Sequence, residues 1–223
     1  MKVGTDGVLL GSWVSLNSHP FSILDIGAGT GLISLMLAQR STAQQIDAIE
    51  IDAEAYEQCV DNFEDSPWND RLFCFHASLD EFAEEMKGDT YDLIVSNPPY
   101  FSPPQKESLK SNISRNKARF YDSLPFEHLI ENASQLLADS GIFSVIIPFD
   151  SETAFISLSK KVGLYPQQIT RVRGTANSAI KRSLIQFGFE QCPTKTNELT
   201  LEISRHQYTE EFKSLVKDFY LHL

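Results

Sequence analysis

Apolar residues come along this chain in two alternating patterns. Residues 21–26, 45–50, 71–76, 91–95 and 141–148 are short runs rich in Ile, Leu, Val and Phe, bounded by turn residues. That pattern predicts buried strands. Between them, residues 32–39, 53–63, 79–86, 125–138 and 151–162 predict helices. Strand and helix in alternation predict a doubly wound sheet with helices on both faces. Residues 164–173 and 183–191 add two strands joined by the basic loop 174–182, and consecutive strands so joined predict antiparallel neighbours. Residues 199–203 predict one further edge strand. The expected fold is α/β: a doubly wound, mostly parallel, seven-stranded sheet with an antiparallel edge strand, in one domain over residues 1–223.

Cap residues sharpen several boundaries. Thr5 or Asp6 is the expected cap of a first helix carrying Val8, Leu9 and Trp13. That helix either packs on a sheet edge or covers a ligand. Asp52 is the expected cap of helix 53–63, and Gly163 the residue just past helix 151–162. Thr209 should cap a last helix with Phe212, Leu215, Val216 and Phe219 on one face.

The first strand runs into Gly27-Ala28-Gly29-Thr30-Gly31 and then a helix. Glycines let the backbone approach a ligand, and the helix start supplies free N–H groups. A dinucleotide loop wants its third glycine at position 32, which is Leu32; here it comes one residue early, at Gly31. Asp25 closes the strand beside the loop. That carboxylate repels an anion and attracts a cation. The chemistry favours S-adenosylmethionine, with its sulfonium and ammonium, over a dinucleotide. Glu50 ends the second strand, where a carboxylate can accept bonds from both ribose hydroxyls.

The fourth strand runs into Ser96-Asn97-Pro98-Pro99-Tyr100. Pro99 has no N–H, so the Pro98 carbonyl keeps its acceptor capacity, and Asn97 offers a second acceptor oxygen. Two fixed acceptors can take both hydrogens of an exocyclic amine, and Tyr100 adds a flat face for stacking. The glycine loop, Glu50, Ser78 and Asn97 should share the carboxyl edge of the sheet, where ligands of such folds bind. Residues 101–122 have no clean period and follow this motif directly, which suggests a substrate flap.

Net charge is −11, which by itself argues against nucleic acid. Its distribution changes the picture. Lys106, Lys110, Arg115, Lys117 and Arg119 give residues 105–119 a net +4, and Lys160, Lys161, Arg171, Arg173, Lys181 and Arg182 give residues 160–182 a net +6. A basic face on an acidic body permits an anionic partner. Cys59, Cys74 and Cys192 have no metal-ligand spacing and predict reduced thiols. His76 predicts a half-buried strand residue rather than a base. No secretory leader or membrane span is evident, so a cytoplasmic protein with no membrane partner is expected.

Asp25-Ile26-Gly27-Ala28-Gly29-Thr30-Gly31 with Asn97-Pro98-Pro99-Tyr100 resembles the class I S-adenosylmethionine methyltransferases acting on planar nitrogens. The opening Met1-Lys2-Val3-Gly4-Thr5-Asp6-Gly7, the Asn69-Asp70-Arg71 segment and the closing Asp218-Phe219-Tyr220-Leu221 are similar to the bacterial tRNA1(Val) adenine-37 N6-methyltransferases. Members of that family usually carry residues ahead of this opening motif. The resemblance implies a Rossmann-like fold and a cofactor set of Thr5, Asp25, Gly27, Ala28, Gly29, Gly31, Glu50, Ile51, Ser78, Leu79 and Asn97. Within it the glycines border the methionine part and Ile51 lies against the adenine. Ser78 stands where the family commonly has an Asp that binds the adenine amino group. Asn97, Pro98, Pro99 and Tyr100 hold the target amine, with no metal. The expected partner is tRNA at its anticodon stem-loop, with Lys106, Lys110, Arg115, Lys117, Arg119, Arg171, Arg173, Lys181 and Arg182 along its phosphates and a monomer favoured. The rival readings are a glutamine N5-methyltransferase acting on a protein, a ribosomal RNA N-methyltransferase, and a non-catalytic RNA-binding protein of the same fold.

Overall fold

The computed structural model describes residues 4–99 and 125–220. One sheet of nine strands runs through it in the order β3-β2-β1-β4-β5-β7-β6-β8-β9. The first five are β1 (Ser22–Ile26), β2 (Gln45–Glu50), β3 (Leu72–His76), β4 (Tyr91–Ser96) and β5 (Leu137–Pro148). These five are mutually parallel, so their carboxyl ends share one edge. β6 (Tyr165–Thr175) and β7 (Ile180–Gly188) are the expected antiparallel pair. β7 returns between β5 and β6, with Pro148 opposite Arg182, so it begins at that same edge. β8 (Lys195–Ser204) runs parallel to β6, and the short β9 (Gln207–Tyr208) folds back on it.

The layered class is the expected one, while the strand count rises from seven to nine. The expected edge strand over 199–203 starts earlier, at Lys195, and its pairing with β6 is parallel; the antiparallel strands are β7 inside the sheet and β9 at its end. β5 also starts early. The helical pattern of residues 125–138 stops at Leu136, because Leu137 is extended and pairs with Tyr91. The β4–β5 register then shifts between Tyr91 and Leu93. At Gly141 an added Cβ would come within 2.9 Å of the Tyr91 and Ala138 carbonyl oxygens, so this bulge needs glycine.

Helices cover both faces. α1 (Thr5–Trp13), α2 (Leu32–Arg40), α3 (Ala53–Glu64) and α7 (Glu210–Val216) share one apolar cluster with Ile23, Leu93, Val95 and Ile146. α4 (Leu79–Glu85), α5 (Phe126–Leu136) and α6 (Glu152–Lys161) share the other with Leu24, Ile26, Ile94 and Val145. Successive strand residues thus point to opposite faces, as a pleat requires. Asp52 and Thr209 cap α3 and α7 as expected, accepting from Ala55 N–H and Phe212 N–H. Gly163 has φ +82° just past α6. α1 differs: its cap is Gly4, which has no side chain to supply a capping bond, rather than Thr5 or Asp6.

Two arginines finish helix ends. Arg40 donates to the Gly11 and Val14 carbonyls at the end of α1, and Arg71 to those of Ala38, Ser41 and Ala43 beyond α2. These cations satisfy carbonyls that a helix end leaves open. Among the described residues no helix is long and apolar enough to cross a membrane.

Candidate active site

Three strand ends build the site. β1 delivers the glycine loop, β2 delivers Glu50 and Ile51, and β4 delivers Asn97. The loop is tied to β2 by Gly27 N–H and Ala28 N–H, both donating to the Ile49 carbonyl at 2.9 and 3.0 Å. Glu50 fixes it from the side. One carboxylate oxygen accepts from Gly29 N–H at 2.7 Å and the other from Asp52 N–H at 2.8 Å. Each oxygen keeps a further lone pair for a hydroxyl donor.

Gly31 shows why the glycine comes one position early. Its φ is +79°, and an added Cβ would lie 2.5 Å from the Phe63 ring and 2.8 Å from Cys59 Sγ. The loop is pressed onto α3 here, and only glycine fits. Gly27, at φ +72°, has open space where its Cβ would be. A ligand can therefore approach the backbone at Gly27, while Gly31 supports the turn from below.

Asp25 does not reach the loop surface. It is fully buried on the α2 face, where one oxygen accepts from Ser34 Oγ at 2.8 Å and Ser34 N–H at 3.2 Å. Its other oxygen has no hydrogen-bond partner among the described residues. Burial pushes its pKa up to about 7; the Ser34 bonds pull the other way, and the charge of Glu50 adds to the rise. Two carboxylates thus converge under a loop that in a dinucleotide fold would cradle phosphate. A cation relieves both, and an anion is opposed by both.

Ser96 joins the second half of the site to the first. Its Oγ donates to the Ile26 carbonyl at 2.9 Å, clamping the end of β4 against the residue before Gly27. Asn97, half-buried, and Pro98, buried, follow directly, with Pro99 exposed. Tyr100 lies outside the described residues, as do Lys106, Lys110, Arg115, Lys117 and Arg119.

The remaining expected cofactor residues fare unevenly. Ile51 is 57% exposed beside Glu50, an apolar surface with no core role. Ser78 is engaged as the cap of α4: its Oγ donates to the Glu81 carboxylate at 2.7 Å and accepts from Glu81 N–H at 3.3 Å. A base amino group would have to share that hydroxyl. The Leu79 side chain is buried in the core, which leaves only its backbone to meet a ligand. Ala28 is buried within the loop, and Thr5 is exposed at the start of α1. His76 is exposed rather than half-buried; it stacks on Tyr56 with centroids 5.0 Å apart, and its Nε2 lies 3.1 Å from the Ile51 carbonyl. Both partners come from outside its own strand, Tyr56 from α3 and Ile51 from just past β2, so no local pattern announces them.

The second basic window is split by the fold. Arg171, Arg173, Lys181 and Arg182 lie toward the carboxyl edge, where the arginines are already paired, whereas Lys160 and Lys161 end α6 at the opposite, amino edge, just before β6 begins. Arg171 donates to both oxygens of Glu152, closest at 2.7 Å. Arg173 pairs with Glu198, and Arg182 Nε lies 2.8 Å from Asp6. Lys160, Lys161 and Lys181 are exposed. A cavity of about 660 Å³ lined by Trp13, His19, Arg40 and Gln168 opens at the opposite, amino edge and takes no part in this arrangement.

The fold and the loop geometry agree with comparison to known proteins. The methyltransferase small domain family matches residues 8–165. The tRNA1(Val) (adenine(37)-N6)-methyltransferase of Christiangramia forsetii is 59% identical, covering 100% of this chain and 92% of that protein. The protein of the same name from Bacteroides fragilis is 43% identical over 99% of this chain and 91% of its own length. Among solved structures, a predicted O-methyltransferase from Agrobacterium tumefaciens superposes with a TM-score of 0.71 at 21% identity, covering 96% of both chains, and so shares the fold. A methyltransferase-type sheet, a cation-favouring glycine loop and full-length relatives of one name converge: this chain belongs to the methyltransferase small domain family and, within it, to the tRNA1(Val) (adenine(37)-N6)-methyltransferases.

Proposed function

We propose that this protein methylates the exocyclic N6 of adenine 37 in a valine tRNA. The observation that carries the reading is the Ser96–Ile26 clamp, which joins the amine-acceptor motif to the glycine loop. The names of the full-length relatives support the choice of substrate. S-adenosylmethionine supplies the methyl group from a sulfonium centre. The residues fit it: Glu50 for the ribose hydroxyls, exposed Ile51 for the adenine face, and open backbone at Gly27 with the unsatisfied Asp25 beneath for a cationic tail.

The N6 nitrogen of adenine is a poor nucleophile because its lone pair is delocalised into the ring. The Asn97 side-chain oxygen and the Pro98 carbonyl accept its two N–H bonds. They favour a pyramidal nitrogen and aim its lone pair at the methyl group. The enzyme's contribution is orientation and electrostatics. After transfer the nitrogen is cationic and strongly acidic, so its proton passes to water without a dedicated base. Adenine 37 lies in the anticodon loop, and presenting an unpaired base costs less than flipping one from a duplex. Tyr100 stacks on it. The exposed Lys181 and the first basic window follow the phosphates. The whole chain acts as one domain, as a monomer in the cytoplasm.

The test is methyl transfer from labelled S-adenosylmethionine to bulk bacterial tRNA lacking N6-methyladenosine, read by nucleoside mass spectrometry. A new N6-methyladenosine peak confined to one valine tRNA is expected. Label in a protein, or in ribosomal RNA alone, would overturn the reading.

A further inference from the structure

We propose that Phe149, with the Arg171 guanidinium fixed behind it, is the stacking platform for the nucleotide next to the target adenine. This deepens the RNA-methylation reading and rests on it. Ser96 of β4 is in register with Val145 of β5, the last pair of that ladder, so the chains leave the sheet from adjacent strand ends, into residues 97–99 on one side and 146–148 on the other. Phe149 follows the end of β5 at once, at the carboxyl edge one strand over from the end of β4. The sheet order puts the residues assigned to the cofactor on β1, β2 and β3, on one side of β4; Phe149 is on the other side. An RNA strand that delivers one base at β4 meets β5 next.

The ring has no core duty to explain it. Phe143, Phe155 and Phe187 pack together in the interior with centroids 5.7–6.4 Å apart. Phe149 is half-buried and belongs to neither core cluster of the described residues. The Arg171 guanidinium carbon lies 5.6 Å from its centroid, within cation–π range.

That arginine cannot swing freely. Glu152, 6% exposed, takes its Nε and Nη2 and also accepts from Ser183 Oγ. Arg171 and Glu152 are therefore positioning residues for the ring. Aromatic rings and guanidinium planes are the surfaces on which unpaired RNA bases stack, and pre-fixing both lowers the ordering cost on binding. The Arg171 side chain is 33% exposed, so its outer edge also faces solvent, where a phosphate would arrive.

The experiment measures steady-state methylation of an anticodon stem-loop, intact or with an abasic site on either side of the target adenine. The enzymes are wild type, Phe149→Leu and Phe149→Trp. Stacking on an aromatic accounts for about 5- to 150-fold in affinity per base. With wild type, the abasic site on one side should raise the RNA KM by that factor. Phe149→Leu keeps apolar bulk without a π face. It should raise KM for intact RNA similarly, leave KM for S-adenosylmethionine and the melting temperature unchanged, and lose sensitivity to the abasic site. Phe149→Trp should behave as wild type. An abasic penalty of equal size in wild type and Phe149→Leu would overturn the proposal, as would a lowered melting temperature in Phe149→Leu with an unchanged RNA KM. Wild type that leaves even intact RNA unlabelled would overturn the underlying reading as well, and the intact-RNA control separates the two failures.

Discussion

Two buried carboxylates lie at the same edge of the sheet, and they have been treated in opposite ways. Asp25, on β1, has one oxygen bonded to Ser34 and the other without a partner among the described residues. Burial therefore dominates and its pKa rises to about 7. Glu152, which opens α6 just after β5, is nearly as buried. Burial opposes its charge too, but hydrogen bonds from Arg171 and Ser183 and the charge of Arg171 hold it below the ordinary carboxylate range. On the β5–β8 side Glu152 is finished before any ligand arrives, although Arg173 Nε and Ser144 Oγ have no partner among the described residues. The β1–β4 side is left incomplete, and an incomplete buried charge is what a cationic ligand can complete. On the proposed function, the unsatisfied carboxylate lies on the reacting side and the satisfied one on the supporting side.

If that contrast holds, Arg171→Ala should have the largest effect, and on stability. It strands a buried carboxylate, which typically costs about 3–5 kcal/mol. A denaturant midpoint unchanged from wild type would show that Glu152 finds other partners. Asn97→Ala should do the reverse. Losing one preorganised hydrogen-bonding group costs about a hundredfold in kcat, or about 3 kcal/mol of barrier, with the denaturant midpoint unmoved. Methylation at the wild-type rate would remove Asn97 from the mechanism.

The incomplete side was the legible side. Its signals are local: a glycine loop after a strand, an acid at the next strand's end, Asn-Pro-Pro at the fourth. The finished side misleads because a window of sequence shows its cations without their acids. Residues 160–182 contain no acid, so Arg171, Arg173 and Arg182 look like a free cationic face. Their acids lie 19, 25 and 176 residues away, and only the sheet brings them in. Local pattern failed in the same way at β5 and β8. Leu136-Leu137-Ala138 continues a helical period into what pairing with Tyr91 makes a strand. Residues 195–198 are exposed and polar, with no alternation to announce the start of β8. Phe149 carries no sequence signal at all; its placement beside Arg171 comes from strand order.

Asp25→Asn sharpens the comparison through pH. The folded-state pKa of Asp25, about 7, lies above the ordinary 3.8. The folded protein therefore holds this proton more tightly than the unfolded chain. Its contribution to stability is full below about pH 4, declines as pH rises through 7, and is flat above. The neutral amide keeps the acceptor for Ser34 and removes that decline, so at pH 8 the variant should be more stable by about 2 kcal/mol, roughly half of what the full shift implies. Neutralising Glu152 with Gln should instead destabilise. Binding of S-adenosylmethionine at pH 6 should release a proton from Asp25, seen as a buffer-dependent heat in titration calorimetry and absent in Asp25→Asn. Equal heats in two buffers would mean that the cofactor's charge does not reach this carboxylate.

The smallest effect is expected where the two sides meet. Arg182, opening β7, pairs with Asp6 in the first turn of α1, with side chains 31% and 24% exposed. The pair links the finished side to the helix that opens beside the cofactor loop. Partly exposed ion pairs contribute on the order of 1 kcal/mol or less and weaken with salt. A double-mutant cycle with Asp6→Asn and Arg182→Gln isolates this one contact from whatever else either residue touches. If the pair only fastens α1, the coupling of about 0.5–1 kcal/mol should appear in the unfolding free energy, shrink in high salt, and be absent from the affinity for S-adenosylmethionine. If the coupling appears in cofactor affinity instead, α1 is part of the binding site, and the boundary between the supporting and reacting sides moves from β4 to the start of β7.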